Sequence, residues 1–225
     1  MNISSSANIS MRETNRTYRY NNTGVLSLTI RRPEIRLPSS PKAQANINRR
    51  FALEAGRFYR HASSELYRQA VRSYQNAQKN GFPFIPYEAF MQFDITYNMS
   101  CYLSSYNDRY QFTGGAHGST VRSSDTFSLK TGNRIPLSHY FSAGYDYRGF
   151  LLGQIIMQAD ANMQENPIYF EDYRELIVRH FNPQNYYLSN TGLVIYYQQY
   201  EIAPYATGIV EFTIPYSTLG WIPRC

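Results

Sequence analysis

Tyr87 to Ser104 reads YEAFMQFDITYNMSCYLS. One parity carries Tyr87, Ala89, Met91, Phe93, Ile95, Tyr97, Met99, Cys101 and Leu103; the other carries Glu88, Phe90, Gln92, Asp94, Thr96, Asn98, Ser100, Tyr102 and Ser104. Side chains of a strand alternate between its two faces, so this pattern predicts one long strand, straight or bulged, with a single buried face. Asn107-Asp108 supplies turn formers, and Tyr110 to Thr113 and Ser119 to Leu129 continue as further strands of a meander. Upstream, Val25 to Arg31 alternates as a half-buried strand does, and Pro33, Pro38 and Pro41 punctuate an extended link. From Lys42 to Asn80 the apolar positions Ile47, Phe51, Ala55, Phe58, Ala62, Leu66, Ala70 and Tyr74 recur every three or four residues, the stripe of a long amphipathic helix. Gly81 and Pro83 end it, and Gly56 in its interior marks a kink or break, since glycine costs ~1 kcal/mol there relative to alanine.

Downstream of a turn at Lys130-Thr131-Gly132-Asn133, Asp146 is placed to cap a helix from Tyr147 to Gln164 that carries Phe150, Leu151, Ile155, Ile156 and Ala159 on one stripe. A shorter helix from Phe170 to Arg179 follows, then closing strands at Tyr186 to Leu188, Gly192 to Tyr200 and Gly208 to Pro215. Segregated runs of strand and helix predict an α+β fold: an antiparallel sheet with the long amphipathic helix and a second helix packed on one face. Residues 1–22, polar and basic, are expected as a disordered arm. Residues 23–225 are expected as one α+β domain in two intimately packed halves, about 23–135 and 136–225.

At 225 residues and 43% hydrophobic content the chain is long enough to bury a core without staples. The 22 Tyr outnumber the 13 Phe and the single Trp; such rings keep a polar tip wet and suit either a contact surface or the wet face of a sheet. The net charge of +6 is uneven, because residues 1–80 hold 14 of the 22 Lys and Arg but 4 of the 16 Asp and Glu. Nearly all of this excess is arginine, which meets carboxylate or phosphate bidentately. Without a nucleic-acid motif, a basic tail and a solvated helix face account for it, and nucleic acid is not expected as a partner. Cys101 falls on the apolar parity of the long strand and is expected to pack as a small hydrophobe. Cys225 is expected as a free tail thiol or as an intermolecular cross-link. No apolar stretch has the length of a signal-peptide core or a membrane span. This is the pattern of a protein cytoplasmic at synthesis, in a mother cell or spore for instance, or of an extracellular one whose export segment has been removed.

Phe112-Thr113-Gly114-Gly115-Ala116-His117-Gly118, Phe127-Ser128-Leu129-Lys130-Thr131-Gly132, Gly192-Leu193-Val194-Ile195-Tyr196-Tyr197, and Tyr200-Glu201-Ile202-Ala203-Pro204-Tyr205-Ala206-Thr207-Gly208 closed by Ile214-Pro215-Tyr216 follow one another in order. Together they resemble the paired domains of unknown function in the extracellular part of sigma-V anti-sigma factors, which capture lysozyme, and beside the catalytic domain of peptidoglycan deacetylase C. The resemblance runs from Val25 to Leu219 and implies a noncatalytic recognition domain of the cell envelope or spore surface, binding a lysozyme-like protein or a cell-wall glycan. A partner at +6 gains little steering toward lysozyme, itself basic.

Candidate contact residues are Gly114, Gly115, His117 and Ser119 of the first motif and Tyr200, Glu201, Pro204 and Tyr205 of the last. His117 with Ser119 invites a catalytic reading, but no signature places an acid behind the histidine. Two glycines flanking it account for the motif through positive φ or close backbone approach. Asp94, Asp125 and Glu201 leave a glycosidase-like carboxylate pair open. His61, His139 and His180 are scattered, so no metal, no cofactor and no catalytic residue is assigned. Two further functions stay open: a self-associating structural protein of a spore or coat layer, and an enzyme acting on cell-wall glycan.

Overall fold

A computed structural model describes residues 6–225. Five strands, β1 (Asn8–Tyr20), β2 (Thr23–Arg36), β3 (Tyr87–Met99), β4 (Tyr102–Phe112) and β5 (Ser119–Ser128), lie side by side in that order. The fold is α+β, but this sheet is mixed: β2 and β3 pair in parallel from Leu26↔Tyr87 to Arg31↔Gln92, and the other neighbours are antiparallel. A parallel pair needs a crossover. The long helix is that crossover, running as α1 (Pro41–His61), a π-helical turn (Ala62–Leu66) and α2 (Tyr67–Asn80) to a left-handed cap at Gly81.

The helix does not break at Gly56. Its buried positions Phe58, Ala62, Leu66 and Ala70 are spaced by four residues, which outruns the 3.6-residue period, and the wider π turn absorbs that drift. The stripe therefore stays on the sheet, where Phe51 meets Phe93 and Phe127 edge-on at 5.5 and 5.8 Å.

Two strand expectations need correction. Asn8–Tyr20, placed in a disordered arm, pairs along its whole length with β2. The strand is almost wholly exposed, so it carries no apolar alternation to announce it; ladder hydrogen bonds hold it, with Arg12–Glu34 and Arg31–Glu13 ion pairs at 2.6 and 2.7 Å. The first five residues of the arm lie outside the described residues. The long strand of residues 87–104 is in fact a hairpin, turning at Ser100 and Cys101 with φ of 51° and 65°. A two-residue turn with both central φ positive is the common hairpin connection, and here it contains no glycine. Asn107-Asp108 lies inside β4, where Asn107 is buried and Asp108 binds Arg122.

A second, three-stranded antiparallel sheet holds β6 (Tyr186–Leu188), β7 (Gly192–Tyr197) and β8 (Val210–Pro215). The central β7 is buried on both faces. Leu193, Ile195 and Tyr197 pack with Leu151 and Ile155 of α3 (Tyr147–Glu165) and Ile177 of α4 (Tyr173–His180), whereas Val194 and Tyr196 join Tyr187 and Tyr106 of β4. The layers are thus helix, five-stranded sheet, three-stranded sheet, helices. The second helix covers its own sheet instead of sharing a face with the first. Asp146 caps α3 by accepting from Gly149 N at 3.0 Å.

Between the sheets Arg122 is buried, with Nε and Nη2 donating to the two Asp108 oxygens at 2.7 Å each, Nη1 donating to Glu211 of β8, and its plane 3.6 Å from the Tyr106 ring centre. Cys225 is not a free thiol: it is bonded to Cys101 in the hairpin turn, Cα atoms 5.1 Å apart, which leaves no sulfhydryl for cross-linking another chain. Cys101 is buried as expected of a small hydrophobe, but in a turn and as half of a disulfide.

Candidate functional site

Sheet edges expose unpaired N–H and C=O groups that something must cover. At the outer edge of β5 two side-chain amides do so. Gln199 Oε1 accepts from Thr120 N at 2.7 Å, Gln198 Oε1 accepts from Arg122 N at 2.8 Å, and Gln198 Nε2 donates to Arg122 O at 2.8 Å. This clamp carries the loop after β7 to the turn between β4 and β5, so the Gly114–Ser119 and Tyr200–Tyr205 segments, some 80 residues apart in sequence, meet.

Their junction is a set of rings. His117 stacks on Tyr205 with centroids 3.9 Å apart and planes 21° apart, and Tyr205 lies 5.8 Å from Tyr200. The His117 ring is fixed by Nδ1 against Gly118 O at 3.0 Å and by Nε2 at 3.5 Å from the Tyr200 hydroxyl. Tyr200 is 55% exposed and has φ of 67°, a left-handed conformation costly for a bulky side chain. It is held there by Glu201, whose Oε2 accepts from Gln198 N at 2.7 Å while its amide donates to Gln198 O at 3.2 Å.

Each glycine of the turn has a different part. Gly114 takes φ of 83°. At Gly118 a β-carbon would sit 2.2 Å from the Tyr110 ring, so its bare backbone lets that ring approach the turn closely. Gly115 has neither constraint. Burial raises the Tyr110 phenol above its ordinary value, with Glu88 adding to the effect.

Of the candidate residues, His117, Tyr200 and Tyr205 form the ring cluster, Gly114 shapes its turn, and Glu201 braces the loop. Pro204 opens a short 3-10 turn over Tyr205–Thr207. Ser119 begins β5 and lines a different cleft, with Arg57, His61 and Arg109. Sequence reasoning missed Gln198, Gln199 and Tyr110, since two glutamines at the end of an apolar run read as a continuing strand. Neither ring nitrogen of His117 meets a carboxylate. Asp94 and Asp125 face opposite sides of the sheet, because they sit across from the adjacent residues Tyr106 and Ser105 of β4. Glu201 lies in the β7–β8 loop with its other oxygen 4.0 Å from His180. Among the described residues no three His, Cys, Asp or Glu side chains converge to hold a metal, and no helix is long and apolar enough to cross a membrane.

Residues 20–120 match the family described as Deacetylase PdaC, and residues 140–217 match a protein family of unknown function, DUF3298. The two matches lie in tandem along the chain, the pairing of domains that its sequence motifs resemble. The first match covers β2 through the turn and the first residues of β5, and the second spans α3 through β8; the ring site is built from both. The fold is shared with a DUF3298 family member from Bacteroides fragilis, 19% identical, TM-score 0.74, over 98% of this chain and 94% of that one. A DUF3298 family protein from Pseudomonas aeruginosa is 16% identical with a TM-score of 0.60, over 95% and 93%. No curated protein matches the chain.

Proposed function

We propose that this paired-domain chain is a noncatalytic recognition module of the cell envelope that takes a cell-wall glycan on the ring cluster of His117, Tyr205 and Tyr200. The observation that carries this is the cluster itself: three rings from two segments distant in sequence, two of them on exposed residues and one, Tyr200, held in a costly backbone conformation. Backbone strain persists where the surroundings over-determine it, and it concentrates at binding sites. An exposed aromatic face with a polar tip offers a pyranose both a flat apolar surface and hydrogen bonds. The match of residues 20–120 to a family named for a deacetylase supports a glycan ligand, and the Cys101–Cys225 disulfide supports work in an oxidising compartment outside the cytoplasm. The net charge of +6 favours the glycan over a basic lysozyme-like protein as the ligand.

The test is an equilibrium pull-down of the full chain on peptidoglycan and on lysozyme, at low and at physiological salt, beside His117→Ala, Tyr200→Ala and Tyr205→Ala. We expect saturable, nearly salt-indifferent retention on peptidoglycan. Loss of one ring face should weaken it about tenfold, the equivalent of ~1.4 kcal/mol. The muropeptide profile should be unchanged after long incubation. Retention equal in all three variants, or none at all, would overturn the assignment.

A further inference from the structure

A ladder of charge runs between α1 and the helix-facing side of β4 and β5. Arg134 contacts Asp125, Asp125 contacts Arg50 at 2.9 Å, Arg50 contacts Glu54 at 3.0 Å, and Glu54 contacts Arg57 at 3.1 Å. Counted along the row, three guanidiniums share two carboxylates, so the row carries one positive charge in excess and has Arg57 at one end and Arg134 at the other.

Arg109 adds to this excess. It lies opposite Met91 and Val121 in the sheet, and Met91 belongs to the core beneath α1, so Arg109 emerges on the same side as the ladder. It is half-buried, its polar partner is the neutral Ser123 hydroxyl at 2.7 Å, and it meets no carboxylate among the described residues. A half-buried guanidinium that faces no carboxylate keeps its paired N–H donors available to an incoming oxyanion.

Arg57 and Arg109 open into one cleft of about 480 Å³, whose wall also holds His61, Gln111 and Ser119. His61 Nε2 lies 3.4 Å from Gln111 Oε1. The cleft therefore has two guanidinium forks, a histidine and a hydroxyl, and among the described residues no acidic side chain lines it.

We propose that this cleft is an anion-binding site that takes a carboxylate or phosphate group between Arg109 and Arg57, with His61, Gln111 and Ser119 hydrogen-bonding around it. Planar forks grip both oxyanions through paired N–H donors. The site shares only Ser119 with the motif that builds the ring cluster and stands whether or not that cluster binds glycan.

The full chain, 15N-labelled, is titrated with inorganic phosphate and separately with acetate, chloride holding the ionic strength constant. The Nε–H signals of Arg57 and Arg109 and the amides of His61, Gln111 and Ser119 are followed by NMR. At least one anion should give saturable shifts at these positions, and the tighter of the two names the group preferred. Arg109→Gln should weaken binding about tenfold, Arg57→Gln should weaken it in the same direction, and Arg72→Gln, an exposed arginine on α2, should leave it unchanged. Non-saturating shifts with both anions, wild-type affinity in the Arg57 and Arg109 variants, or equal loss in Arg72→Gln would overturn the proposal. Should Arg109→Gln fail to fold, the exposed Arg57→Gln decides alone.

Discussion

Gly118 shows how much of the ring site rests on one missing methyl group. A β-carbon there would lie 2.2 Å from the Tyr110 ring, so Gly118→Ala must displace either that ring or the turn carrying His117. Overpacking of this kind costs ~1–3 kcal/mol. Thermal unfolding of the variant should show that loss, and adding Tyr110→Ala should remove most of it, because the two changes act on one contact. Additive losses would mean that Gly118 acts by another route. The Gly-Gly-Ala-His-Gly string was legible as a shaped turn, but the division of labour was not: positive φ and close approach leave the same letter in a sequence. The left-handed Tyr200 left no trace at all, since its cause is a hydrogen-bonded loop closed by Gln198 and Glu201.

Among the elements, the hairpin at Ser100-Cys101 is where pattern reading failed for a definite reason. Met99 sits opposite Tyr102, so the chain reverses without interrupting the row of apolar letters, and only a glycine or asparagine would have signalled the turn. The four-residue steps from Phe58 to Ala70, in contrast, were written in the sequence, and a strict 3.6-residue period would have pointed to the π turn. Cys101 and Cys225 are 124 residues apart, a separation from which no pairing can be inferred. Their bond closes a long loop; restricting the unfolded chain sets an upper value of ~5 kcal/mol for a loop of that size, and disulfides typically deliver ~2–4 kcal/mol. Urea unfolding of Cys225→Ser, or of the native chain under reductant, should show a loss of this order with the native circular dichroism retained before the transition. Equal midpoints with and without reductant would show that the bond carries no stability.

At the scale of the molecule, tyrosine joins the layers. The composition suggested rings with wet tips, and Tyr200 is one, but Tyr140, Tyr186, Tyr187, Tyr196 and Tyr197 are buried. Burial pushes the phenols of Tyr186 and Tyr196 up to about 12 and raises Tyr140, Tyr187 and Tyr197 as well. A phenol in the unfolded chain ionises near pH 10, so below that pH both states are protonated and the rings contribute their full stability. Above it the unfolded state sheds protons that the native state keeps, and stability falls as pH rises from about 10 toward 12. For Tyr186 and Tyr196 the shift corresponds to ~2–3 kcal/mol per ring, enough together to remove much of a typical domain's margin. We expect alkaline unfolding to be cooperative, with a step in tyrosinate absorbance coinciding with loss of circular dichroism. Tyr196→Phe, which removes one titrating phenol and its 3.1 Å contact with Ser124, should flatten the fall in urea-unfolding stability between pH 10 and 12. A variant with the wild-type slope, or tyrosinate signal rising smoothly while the fold persists, would mean that these rings reach solvent without the sheets parting.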